Sequence, residues 1–129
     1  MSIQAKFGAF GILALMLFAC GSYPGSPADT GMQFLEALQA GDFSGAAELS
    51  TDNTAGIVLF LEKMVAARLE TREDLEFPIP PPGEEIVLIS EQEAGDIVSL
   101  RYSSGGRVFA LRATEINNKW KIEMPRESW

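Results

Sequence analysis

Four prolines within Glu76–Gly83 (EFPIPPPG) divide the chain into two halves that must fold differently. Proline has no backbone N–H and holds φ near −65°, so neither a helix nor a central strand can run through this stretch. Such a run favours extended polyproline geometry, either as a stiff connector or as a ligand for a proline-recognition domain, and the connector is the simpler reading. Before it, apolar residues recur at helical spacing. After it, they alternate. Helices first and an antiparallel meander second predict an α+β fold.

The helical half has three segments. Thr30 with Gln33 three residues later fits a capping box, and Met32, Leu35 and Leu38, joined by Phe34, form one apolar stripe. Gly41 supplies a C-terminal stop. A short second helix follows from Asp42 as N-cap, burying Phe43, Ala46, Ala47 and Leu49. A third runs from about Ala55 to Thr71, with Asp52, Asn53 and Thr54 as candidate caps. Its core-facing stripe is Ile57, Leu61, Met64, Val65 and Arg68 or Leu69. Val58, Leu59 and Phe60 widen the stripe, which predicts a helix buried on more than one side.

The second half reads as strands at Ile86–Ser90, Asp96–Ser103, Arg107–Glu115 and Lys119–Met124. Gly105-Gly106 and Asn117-Asn118 between alternating runs are hairpin signals. In the last strand Trp120, Ile122 and Met124 share one face while Lys119, Lys121 and Glu123 share the other, as a half-solvated antiparallel sheet requires.

The N-terminus has a different character. Met1 to Lys6 carries one positive charge, and Phe7 to Ala19 (FGAFGILALMLFA) contains no charged residue. Cys20 and Gly21 follow. This is the pattern of an export signal. Thirteen helical residues cover about 20 Å, short of a roughly 30 Å hydrocarbon core. Leu17-Phe18-Ala19-Cys20 resembles the bacterial lipobox, although Phe18 is bulkier than the residue usual at its position. The resemblance implies a signal peptide over residues 1–19, removed to leave Cys20 as a lipid-bearing N-terminus in the cell envelope. Several acyl chains would then hold the protein, enough for stable anchoring. Cys20 is the only cysteine, so no internal disulfide can form, and acylation gives the odd thiol a role. Gly21 stands where the inner-membrane retention signal usually has Asp, which points to the periplasmic face of the outer membrane. Residues 20–29, rich in Gly, Ser and Pro, read as a flexible tether, and residues 30–129 as one α+β domain.

All eighteen acidic residues lie after Cys20, against nine basic ones. That balance argues against nucleic acid as a partner, because phosphate binding needs a basic surface. It argues equally against adhesion to anionic lipid by charge, leaving the lipid on Cys20 as the link to the membrane. The charge is uneven: Glu70 to Asp96 holds nine carboxylates opposed only by Arg72, whereas Arg101 to Arg126 holds six basic residues and two acidic ones. No Asp-x-Asp-x-Asp loop, histidine or second cysteine offers metal-ligand spacing, so neither a metal nor another cofactor is expected.

The opening Phe34 to Leu49 (FLEALQAGDFSGAAEL) is similar to that of small bacterial lipoproteins in the nuclear transport factor two-like, or cystatin-like, superfamily. The ending, Arg107 to Glu123 with NNKWKIE at its close, is similar to their last hairpin. Asn117-Asn118 replaces their usual Glu-Asn-Gly kind of turn. Some relatives are described as lumazine-binding-like domains. The resemblance implies helices packed on a curved antiparallel sheet, a cone with a pocket at its open end, and a sheet face able to support a homodimer.

Enzymes on that cone use an Asp or an Asp–His pair, and this chain has no histidine. Acid–base work would fall to a carboxylate held in an apolar pocket. Asp96, Glu115 and Glu123 lie on or beside strands, at positions that fit an outer or edge face. Ser103-Ser104-Gly105-Gly106 joins two strands rather than leading into a helix, so it reads as a turn and not as a phosphate cradle. Arg101 and Arg112 fall inside strands and could offer guanidinium groups to an anionic ligand, or pair with acids across the sheet. Tyr102, Phe109 and Trp120 could line a pocket or fill the core. The expected function is a non-catalytic module for a small apolar ligand or an envelope protein. The alternative is a cone-fold enzyme with one buried carboxylate.

Overall fold

The computed structural model describes residues 25–71 and 79–125, with the backbone alone for 68–71. The expected signal peptide, Cys20, the first part of the tether, the side chains of Arg68 and Leu69, and residues 76–78 of the proline stretch lie outside the described residues. Helix α1 spans Pro27–Ala40, α2 Phe43–Glu48 and α3 Asp52–Thr71; strands β1 Val87–Ala94, β2 Ile97–Ser104, β3 Arg107–Ile116 and β4 Lys119–Glu123 follow. The strands form one antiparallel sheet in sequence order, with the helices in front of one face. This is the α+β arrangement predicted from the change of period.

Helix α1 begins three residues earlier than the Thr30–Gln33 pair suggests. Ser26 is the cap: its Oγ accepts from the Asp29 N–H at 3.1 Å, and Pro27 occupies the first turn, where its missing N–H costs nothing. Thr30 is instead inside the helix, its hydroxyl donating back to the Ser26 carbonyl at 3.1 Å. Gly41 ends the helix in the left-handed region at φ 80°, as expected, and the Asp42 side chain accepts from Gly45 N–H to start α2.

Helix α3 also starts earlier, at Asp52. The Thr51 carbonyl accepts from Ala55 N–H at 2.8 Å, and its hydroxyl lies 3.4 Å from Thr54 N. Val58 and Leu61 are buried, but Leu59 and Phe60 are exposed, Phe60 at 59 %. The expectation that this helix is buried on more than one side is therefore corrected. Contiguous apolar residues 57–61 go more than once round the helix, and α3 meets the sheet only at β4, so among the described residues one side has nothing to pack against.

β2 and β3 end one residue past the expected positions, β4 ends one residue short at Glu123, and β1 gains Glu91–Ala94. A tight turn at Gly95-Asp96, with Gly95 at φ 64°, pairs Ala94 with Ile97. Gly105-Gly106 and Asn117-Asn118 turn the other two hairpins with positive φ at both residues, the type I′ signature that their sequences announce. A bulge between Leu88 and Ser90 displaces Ile89.

The core lies between α1 and the inner sheet face. Phe34, Leu35 and Leu38 from α1 meet Val98, Leu100 and Tyr102 of β2, Phe109, Leu111 and Ala113 of β3, and Ile122 of β4. Burial of each large side chain contributes roughly 1.5–3 kcal/mol. Tyr102, 0 % exposed, donates its hydroxyl to the Ala28 carbonyl at 2.6 Å. Gly31 allows this approach, since a Cβ there would fall inside contact distance of the Tyr102 hydroxyl.

Two further clamps hold the layers. Buried Thr54 accepts the Met124 N–H at 3.0 Å, tying the start of α3 to the end of β4. Gln39 Nε2 donates to the carbonyls of Pro81 and Glu84, both at 2.7 Å, tying the described end of the proline connector to α1. The edge of β4 is covered by Leu49–Thr51: Ile122 N–H donates to the Leu49 carbonyl and Thr51 N–H to the Ile122 carbonyl.

Candidate functional site

Alternation decides where each candidate side chain points. In β2 the buried residues are Val98, Leu100, Tyr102 and Ser104; in β3 they are Phe109, Leu111 and Ala113. Arg101 and Arg112 have the opposite parity and lie on the outer face, which no described element covers. The five candidate residues therefore divide between two sides of the sheet. Tyr102 and Phe109 are core, Trp120 packs half-buried at the core margin, and the arginines face away from all three.

On the inner side, burial pushes the Tyr102 phenol well above its ordinary value of 10.0, and the negative charges of Glu91 and Asp29 push the same way. The group is held neutral and donates its hydrogen bond, so it is suited to packing rather than to proton transfer near neutral pH. Ser104 is 2 % exposed, and its hydroxyl has no hydrogen-bond partner among the described residues. Every described carboxylate is exposed except Glu123, which is half-buried, so none occupies the apolar site that a cone-fold enzyme would need. No group of three or more potential metal ligands occurs among the described residues.

The outer side is different in kind. Arg101 stands opposite Ala110, and Arg112 stands opposite Ser99 on one side and Glu123 on the other. This makes the two arginines diagonal neighbours, a pairing within reach of long side chains. The cross-strand pairing of Arg112 with an acid, one of the two expected uses, is available in register through Glu123. No ion pair or side-chain hydrogen bond of Arg101 or Arg112 occurs among the described residues. Arg107, by contrast, belongs to the inner side, stacked over the Phe109 ring at 4.9 Å and donating to the Ile79 carbonyl at 3.2 Å.

Around the two arginines the sheet leaves aliphatic side chains in the open. Val87, Ile97, Val108 and Ile116 are all exposed, Val108 at 54 %. Val87 and Val108 flank Ser103 across three strands, while Ile97 stands opposite Thr114. Two adjacent guanidinium groups, unpaired among the described residues and in an aliphatic surround, can each direct two parallel N–H donors at anionic oxygens. The sequence puts Ile97 and Val108 in phase with the arginines, but alternation alone does not say which face the helices cover.

Comparison with protein-family models, with characterised proteins and with solved structures finds no match to this chain. Among the described residues no helix is long and apolar enough to cross a membrane.

Proposed function

We propose that this chain is an envelope lipoprotein, anchored through lipid on Cys20, whose domain serves binding rather than catalysis. The observation that carries this reading is positional. The only cysteine follows a thirteen-residue apolar run directly, and α1 opens just seven residues after it. A lipid-bearing N-terminus at that point leaves the folded domain intact beyond a short tether. Placement in the nuclear transport factor two-like superfamily, with a cone-shaped sheet, belongs to the same reading. It is supported by the helix, Gly41-Asp42 step, short helix and final hairpin that its sequence resemblance rests on. The outer membrane, periplasmic side, is the proposed address, from Gly21 after the cysteine. The binding role is favoured over an enzyme by the exposure of the described carboxylates and by Arg101 and Arg112, which have no ion pair among the described residues.

Cys20→Ser tests the anchor. Fractionation of bacteria expressing it should show soluble or unprocessed protein, where the parent chain sediments with membranes in processed form. A variant that still sediments in processed form would remove the basis of the reading.

A further inference from the structure

The outer sheet face gathers most of the described cations and few of the described acids. The chain carries eighteen carboxylates and a net charge of −8, yet only Glu123 among the described ones stands on this face. Four cations share it: Arg101, Arg112, Lys119 and Lys121, the last donating to the Glu48 carbonyl at the rim. Ile97 and Val108 lie exposed beside the arginines. We propose that this face rests on the anionic phospholipid surface to which Cys20 holds the protein, with Arg101 and Arg112 against lipid phosphates and the aliphatic side chains among the headgroups. The proposal rests on the lipid-anchor reading above.

Reach, sign and screening favour lipid as the occupant. From Cys20 to Pro27 the backbone can span at most about 25 Å, so the start of α1 in an anchored chain stays within that distance of the leaflet. A second copy docked face to face would set each arginine pair against another. A phosphate surface instead complements them, at about 1 kcal/mol of attraction per basic residue near an anionic leaflet. The whole-chain charge opposes adhesion, but Glu36 and Asp42 belong to the helix layer, and Glu91, Glu93 and Glu115 in the sheet take the opposite parity to the arginines. A helix layer is about 10 Å thick, and the Debye length at physiological ionic strength is about 8 Å, so the helix-layer acids are screened from the leaflet more strongly than the outer-face cations.

The test uses the acylated protein on vesicles of phosphatidylcholine alone or of equimolar phosphatidylcholine and phosphatidylglycerol. A polarity-sensitive dye is placed at Ser99→Cys on the outer face or, in a separate protein, at Glu36→Cys on the exposed side of α1; acylated Cys20 leaves one free thiol in each. The expected result is several-fold protection from an aqueous quencher at position 99 on the anionic vesicles only. Position 36 should stay accessible on both. Arg101→Glu with Arg112→Glu, or about 0.5 M salt, should remove the protection. Equal quenching at position 99 on both vesicle types, with the protein still bound, overturns the proposal and leaves the anchor standing. Protection that rises with protein density and ignores lipid charge also overturns it, in favour of a second copy. Protein absent from both vesicle types overturns the anchor, and the proposal with it.

Discussion

The seat of α1 on the sheet is a single close approach, and it can be tested by a double-mutant cycle at Gly31 and Tyr102. Considered as an isolated helix position, Gly31→Ala should stabilise by about 1 kcal/mol, the helix-propensity difference between the two residues. In this fold the new methyl would enter the space of the Tyr102 hydroxyl and lie 3.1 Å from both the ring carbon that bears it and Leu100 Cδ1. Overpacking of this kind costs about 1–3 kcal/mol, so the net effect in the parent chain should be destabilising. Tyr102→Phe removes the hydroxyl and its 2.6 Å bond to the Ala28 carbonyl, costing about 0.5–1.5 kcal/mol. In the Tyr102→Phe background the severe contact is gone, and Gly31→Ala should become nearly neutral or slightly stabilising. The coupling between the two changes should therefore be favourable and of order 1–3 kcal/mol. Urea unfolding followed by fluorescence and circular dichroism would measure all four proteins, with equal m-values confirming that the transitions compare. Additivity within about 0.5 kcal/mol would refute the reasoning, because residues that do not touch add to that degree.

Other consequences follow from the same packing. Thr54→Val keeps the shape but leaves the buried Met124 N–H without its acceptor, so chemical denaturation should report a loss of about 1–3 kcal/mol, largely restored by Thr54→Ser. Ser104→Ala removes a buried hydroxyl that has no partner among the described residues, and its thermal midpoint should equal or exceed that of the parent. The raised Tyr102 value means that only the unfolded chain ionises this phenol as pH climbs past 10. Stability from this group is thus complete below about pH 10 and lost as pH rises beyond it, and Tyr102→Phe should flatten that alkaline decline in thermal melts.

Local chemistry announces much of this fold, and where it fails the causes are identifiable. The glycine and asparagine pairs at 105–106 and 117–118 demand positive φ, and they turn hairpins where expected. Gly95-Asp96 turns one too, but the residues before it (Glu91, Gln92, Glu93) are polar. They belong to β1, an edge strand exposed along most of its length, so hydrophobic pattern ends that strand too early. The Thr30–Gln33 capping pattern loses to Ser26-Pro27, where a side-chain cap and a preset φ coincide. Leu59 and Phe60 mislead because hydrophobicity marks what would gain from burial, not whether a partner surface arrives.

The candidate site is legible by halves. Alternation puts Arg101 and Arg112 in phase with aliphatics and puts Tyr102 and Phe109 out of phase with them. Which parity becomes interior depends on where α1 docks, a tertiary fact with no local signature. The pairing of Thr54 with Met124, seventy residues apart in sequence, has none either.

Lipid on Cys20 is the central claim, and the intact mass of the protein extracted from bacterial membranes tests it most directly. The predicted result is a chain that begins at Cys20 and whose excess mass equals a diacylglycerol group, with or without a further acyl chain, lost when Cys20 is replaced by Ser. A chain that retains residues 1–19, or one that starts elsewhere and carries no lipid, would contradict it.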